Sequence, residues 1–240
     1  MSELHNPERE QLRLANVHAF YGESHILHGV DMTVNRGELV TLLGRNGAGR
    51  STILKSIMGM VGRRTGSICI KGEETVKIAA HQIARLGVGF CPEERGIFAS
   101  LNVEENLMLP PTVASDGMSL EEIFSMFPNL YERRKSQGTR LSGGEQQMLA
   151  MARILRTGAN LLLLDEITEG LAPVIVERLG EVLVELKRRG ITIVLVEQNF
   201  RFAAPLADRH YLIEHGQVVE HFTARELDGK RDQLNAMLGV

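Results

Sequence analysis

The stretch GRNGAGRST, Gly44 to Thr52, follows the continuous apolar run ELVTLL and opens RSTILKSIMGM, whose apolar residues recur at helical spacing. A buried strand, a glycine-rich turn and a helix in that order predict an α/β chain with a phosphate-cradling loop. Gly44, Gly47 and Gly49 let the loop through Arg45, Asn46 and Ala48 wrap closely around phosphate oxygens, while the helix offers unpaired N–H groups. Ser51 is then placed to reach Mg2+ and Thr52 to touch an α-phosphate. The pattern Gly-x-x-x-x-Gly-Lys-Ser/Thr fails at one position, where Arg50 replaces the lysine. Lysine is a compact point charge, whereas arginine is longer, planar and forked. The positive charge is kept and its geometry is changed.

NLLLLDE is a second apolar run, ending in Asp165 and Glu166, and ITIVLVEQ repeats that design after the helix-like VIVERLGEVLVELKRRG. Such runs suit parallel strands buried on both faces and joined by crossover helices. At the end of its strand Asp165 can hold Mg2+ through water, and Glu166 can polarise an attacking water. LSGGEQQ, Leu141 to Gln147, opens another helix, with Ser142 as its cap and Gly143 and Gly144 allowing close backbone approach. Ser142 and Glu145 also read as an ordinary capping box.

Elsewhere, LRLANVHAFY, ILHGVDMTV, GSICIKG and GVGFC read as strands, and RHYLIEHGQVVEHF as a hairpin turning at His215-Gly216 before a short helical tail. Residues 101–156 are mostly helix-like around a Pro-, Ser- and Asp-rich stretch near 110–119. A chain of 240 residues with formal net charge -3 and 43% hydrophobic residues is an ordinary globular composition, with no footprint of a nucleic-acid partner. Cys69 and Cys91 are too few for a disulfide scaffold and fit a reducing compartment. The first residues lack the order of a signal peptide, and no apolar run approaches the roughly 20 residues that span a bilayer.

These motifs, in this order, resemble the ATP-binding subunit of an ABC transporter along nearly the whole chain. The resemblance implies the ABC ATPase variant of the P-loop NTPase fold: a RecA-like parallel-sheet core, an N-terminal antiparallel β subdomain and an inserted α-helical subdomain. It implies one nucleotide-binding domain, with core and β subdomain at about 11–90 and 157–240 and the helical part at about 91–156. It further implies ATP and Mg2+ as ligands and a second ATPase subunit, identical or different, paired head to tail, so that Ser142, Gly143, Gly144 and Glu145 serve the partner's nucleotide. Integral-membrane permeases, a periplasmic solute-binding protein and a place on the cytoplasmic face of the inner membrane follow from the same likeness.

Carried over residue by residue, Tyr21 matches the aromatic that stacks on adenine, and Glu93 stands where most members have a glutamine that senses Mg2+. Gln198 occupies the place of the switch histidine, and TEGLAP, Thr168 to Pro173, lacks the usual aspartate of the subunit-contact loop. PEERGIF, SLNVEENL, LLLLDEITEGLAP and VEQN together resemble the ATPases of branched-chain amino-acid importers, from which Arg50 and Ile167 still depart. ATP hydrolysis coupled to uptake is therefore expected, slowed by Arg50. The alternative is a weakly hydrolysing regulatory half of a heterodimer. His5, His18, His25, His28 and His81 show no ligand spacing on a common element, and Cys91 reads as a small packed hydrophobe.

Overall fold

The computed structural model describes residues 9–227, 229, 230 and 234, so His5 and most of the predicted helical tail lie outside the described residues. In chain order the first half contains β1 (Glu10–Tyr21), β2 (Ser24–Asn35), β3 (Leu39–Leu43), α1 (Arg50–Ile57), β4 (Arg63–Ile70), β5 (Glu73–Glu74), α2 (Ala80–Arg85) and β6 (Val88–Cys91). Helices α3 (Val103–Met108), α4 (Leu120–Met126), α5 (Pro128–Glu132) and α6 (Gly143–Arg156) follow. The chain then runs through β7 (Leu161–Asp165), α7 (Pro173–Arg188), β8 (Thr192–Val196), α8 (Phe200–Ala203), β9 (Arg209–Glu214) and β10 (Gln217–Thr223).

Among the described residues two sheets result: an antiparallel one in the order β2-β1-β4-β5, and a six-stranded one in the order β10-β9-β3-β8-β7-β6. β3 leaves its sequence neighbours β1 and β2 and pairs in parallel with β8 and β9. Its composition explains the move, because every residue of β3, β7 and β8 is buried, as suits strands covered on both faces. Val40, Leu42, Leu163 and Val194 point to one face, where they meet α1 and the antiparallel sheet. Leu39, Leu162, Leu164 and Leu195 point to the other, against α6 and α7. The mixed α/β architecture agrees with the expected fold.

Fully burying such a side chain contributes roughly 1.5–3 kcal/mol, so the two faces fix the strand register firmly. A buried ion pair joins the sheets: Arg209 Nη2 donates to Glu38 Oε2 at 2.9 Å and to the carbonyl of Thr33 at 2.7 Å. The β9–β10 turn falls at His215-Gly216 as the sequence predicts, and it does more than reverse the chain. Gly216 N–H donates to the Ala48 carbonyl at 2.8 Å, and the Gly216 carbonyl accepts from His28 N–H at 2.8 Å. A Cβ on Gly216, at φ +74°, would lie 1.9 Å from the Ile26 carbonyl. Gly216→Ala should therefore destabilise the chain by at least about 2 kcal/mol, with left-handed strain and a backbone clash acting together. Urea denaturation measures it, and unchanged stability would contradict this packing.

Candidate active site

The register sets the site. Leu42 of β3 and Asp165 of β7 both pair with Val196 of β8, so the carboxyl ends of three neighbouring strands stand level. Ligands of open α/β sheets sit at such ends. A cleft of about 450 Å³ there brings together Tyr21, Asn46, Gly47, Gly49, Arg50, Ser51, Thr52, Glu93, Glu166 and Gln198. It adds Ile26 and Glu169, which sequence reasoning missed. Gly44, Arg45 and Ala48 face a neighbouring cleft of about 320 Å³ against the end of β9.

The loop geometry requires glycine at two places. Gly44, at φ +156°, passes so close to β9 that a Cβ would lie 2.4 Å from the Ile213 carbonyl. Gly49, at φ +104°, is the residue that caps α1. The first turn of α1 then carries Arg50, Ser51 and Thr52 beside the strand ends.

Arg50 does not project into open space; the residue is 4% exposed. Its Nη2 donates to Glu166 Oε1 at 2.9 Å and to Asn46 Oδ1 at 3.2 Å, and its Nη1 donates to the Glu197 carbonyl at 3.0 Å. The forked head thus joins the glycine loop, the end of β7 and the end of β8, which a single ammonium cannot do with the same reach. Burial pulls the guanidinium below its usual pKa, and Glu166, Asp165 and Glu197 oppose that pull. It remains charged.

Glu166 takes φ +47°, a rare conformation for a residue with a side chain, as the strand ends. Its N–H stays tied to the Val196 carbonyl at 2.9 Å, and Gln198 Nε2 donates to its second oxygen at 2.6 Å. Both carboxylate oxygens are therefore engaged, one by a cation and one by an amide. Next to it, the Asp165 carboxylate accepts from the Ser51 hydroxyl at 2.9 Å. Burial pushes the Asp165 pKa up to about 6 against that hydrogen bond.

Oxygens of Glu93, Glu166 and Glu169 lie within 4.8 Å of one another. Burial, then hydrogen bonding and repulsion from Glu166 and Glu93, raises the Glu169 pKa. With Ser51 and Asp165, the donors at this end of the cleft are all oxygens, the set that a hard divalent cation such as Mg2+ takes. The residues present fit the ion.

Ser142, Gly143, Gly144 and Glu145 are not brought to this cleft. They form the start of α6, where Ser142 Oγ accepts from Glu145 N–H at 3.3 Å and Glu145 Oε2 accepts from Ser142 N–H at 2.7 Å. The capping box is real. The close approach that the glycines permit is partly internal, since a Cβ on Gly144 would lie 2.9 Å from Ile175 and one on Gly143 would lie 3.2 Å from the Arg95 guanidinium. Cys91 is buried with its thiol pKa pushed up to about 12 by that burial, an inert packed side chain. His18, His25 and His28 do meet across the β1–β2 pair, with His18 Nδ1 3.1 Å from His25 Nε2. Among the described residues, however, they form no three-ligand group.

A family model described as ABC transporter matches residues 27–169, more than half of the chain. The chain belongs to the ABC transporter family. It is 40% identical over 231 residues to the high-affinity branched-chain amino acid transport ATP-binding protein BraG of Pseudomonas aeruginosa, covering 95% of this chain and 99% of the relative. It is 38% identical to a probable branched-chain amino acid transport ATP-binding protein, LivF, of Archaeoglobus fulgidus, over 90% of this chain and 93% of the relative. The lipopolysaccharide export ATP-binding protein LptB of Escherichia coli is 32% identical over 90% and 92%. Among solved structures, the ATP-binding cassette MJ0796, a dimer bound to ADP and phosphate after hydrolysis, superposes with a TM-score of 0.79 at 26% identity, over 89% of this chain and 99% of that one. The cassette is an ATP-hydrolysing subunit of an ABC transporter, and no helix among the described residues is long and apolar enough to cross a membrane.

The Glu197 carboxyl, beside the cleft, is 3% exposed, and burial pushes its pKa up to about 7. Both it and Asp165 have folded pKa values above their unfolded ones. Their contribution to stability is full below about pH 4 and is lost as pH rises through about 6 and 7. Each tenfold change in a protonation equilibrium between the folded and unfolded chain is worth about 1.4 kcal/mol. In metal-free buffer, Glu197→Gln should remove the upper part of that loss, so that its stability gains on the wild type between pH 5 and pH 8. Parallel stability profiles in urea would contradict the buried, raised carboxyl.

Proposed function

We propose that this cassette couples ATP hydrolysis to the uptake of branched-chain amino acids or related small solutes, working in a pair of cassettes on membrane permeases fed by a periplasmic binding protein. The observation that carries the reading is near full-length similarity to BraG, together with the strings PEERGIF, ITEGLAP and VEQN. In this reading Tyr21 stacks on adenine at the mouth of the cleft, where it is 42% exposed. The loop Gly44–Thr52 holds the phosphates, and Glu166 takes the proton of the attacking water while Gln198 orients it. Mg2+, when bound, would supply neutralisation of the phosphate charge, and Ser51, Asp165 and Glu93 would hold it. Ser142 to Glu145, lying away from their own chain's cleft, serve the nucleotide of the second cassette.

The Arg50–Glu166 pair supports slowed hydrolysis. A phosphate chain that draws the guanidinium away must break a buried ion pair, and misplacement of a catalytic group by about 1 Å costs on the order of 10²-fold. In the assembled complex Arg50→Lys should turn over ATP several-fold faster than wild type; an equal or lower rate would refute impairment by arginine. Glu166→Gln should bind ATP at least as tightly as wild type, since the carboxylate that competes for Arg50 is gone, and lose turnover by about 10²-fold or more; undiminished turnover would remove Glu166 from the role of base. Co-purification with permeases encoded beside it, followed by ATPase assays with leucine, isoleucine or valine, tests the solute. Stimulation by those amino acids supports uptake, and a complex that responds only to lipopolysaccharide, the cargo named for LptB, overturns it.

A further inference from the structure

Glu197 follows the last residue of β8, yet it turns into the protein instead of toward solvent. Buried acids are rare unless paired, and among the described residues no cation forms a salt bridge with this carboxylate. Two of its contacts lie on one residue, and the Asn199 backbone N–H adds a third. Oε1 accepts from the Thr168 N–H at 3.0 Å, and Oε2 accepts from the Thr168 hydroxyl at 2.8 Å. Thr168 is itself 7% exposed and lies two positions after Glu166.

The neighbours of the pair complete a closed path around the base. Gln198, next after Glu197, donates to Glu166 Oε2, and Arg50 spans from Glu166 Oε1 to the Glu197 carbonyl. From Glu166 the path runs along the chain to Thr168, across to Glu197, and back through Gln198. We propose that the Glu197–Thr168 pair is a positioning element for ATP hydrolysis: it holds the segment after β7 and the end of β8 in one geometry, so that Gln198 and Glu166 keep their mutual alignment. A bond to the hydroxyl and a bond to the backbone N–H of one residue fix both its position and its orientation, which a single contact does not. The role depends on the family's ATP hydrolysis and is independent of the transported solute.

The test uses steady-state ATP hydrolysis by the full-length cassette in its assembled complex, with kcat and the KM for ATP measured separately. Thr168→Val keeps shape and the N–H while removing the hydroxyl; Thr168→Ser keeps both donors. Thr168→Val should lower kcat by about tenfold to a hundredfold with KM within about twofold of wild type, and Thr168→Ser should restore kcat to within about twofold. Glu197→Asp, which keeps the carboxyl and withdraws it by one methylene, should show the same selective loss of kcat and decides the matter where the valine variant does not fold. Wild-type kcat in Thr168→Val, an equal loss in Thr168→Ser, or KM rising in step with the fall in kcat in either test variant would overturn the proposal.

Discussion

A guanidinium and a carboxylate 2.9 Å apart, both largely out of water, sit where the glycine loop and the ends of β7 and β8 converge. A buried ion pair is a weak source of net stability, but losing one partner strands a charge and costs about 3–5 kcal/mol. Its effect is to specify geometry. Arg50 reaches Asn46, Glu166 and the Glu197 carbonyl together, and the parallel register of β3, β8 and β7 makes those three groups neighbours. The strand sheet thus sets where the loops start, and the arginine sets how they meet.

That arrangement gives the replacement of lysine by arginine a physical meaning. The positive charge near the glycine loop is preserved, but its partner is Glu166, the residue proposed to act as base. In the proposed reading a bound triphosphate competes with that carboxylate for the same guanidinium. That competition would slow hydrolysis without abolishing nucleotide binding, because Gly47, Gly49, Ser51 and Thr52 face the cleft beside that pair. Strain at Glu166, φ +47°, belongs to the same picture: the backbone aims its carboxylate out of the strand end and into the cleft.

Much of this was legible in the sequence because it is encoded locally. ELVTLL, NLLLLDE and ITIVLVEQ are uninterrupted apolar runs, and each becomes a strand buried at every position. The glycine loop and the start of α6 are contiguous strings with fixed chemistry. What escaped sequence reading is long-range. Thr168 and Glu197 are 29 positions apart, and Arg50 and Glu166 are 116 apart, and no periodicity marks either pair. Short elements such as β5 and α2 carry too few residues for a hydrophobic period to register. The helix-like middle block divides into α3, α4, α5 and α6 partly because α4 ends at Phe127 and Pro128 opens α5 as its first residue. Glu169 is legible only as one more acid in TEGLAP until the fold sets it beside Glu93 and Glu166.

In the proposed reading Arg50 exchanges its carboxylate partner for phosphate when nucleotide binds. A structure of the Glu166→Gln cassette is unsuited to that question, because it removes the partner. The direct measurement is a high-resolution structure of the wild-type cassette with Mg2+ and a non-hydrolysable ATP analogue. Such an exchange places the Arg50 guanidinium within hydrogen-bond distance of phosphate oxygens and frees Glu166 to face the attacking water. An Arg50 still bonded to Glu166 and to the Glu197 carbonyl with the analogue in place would contradict it.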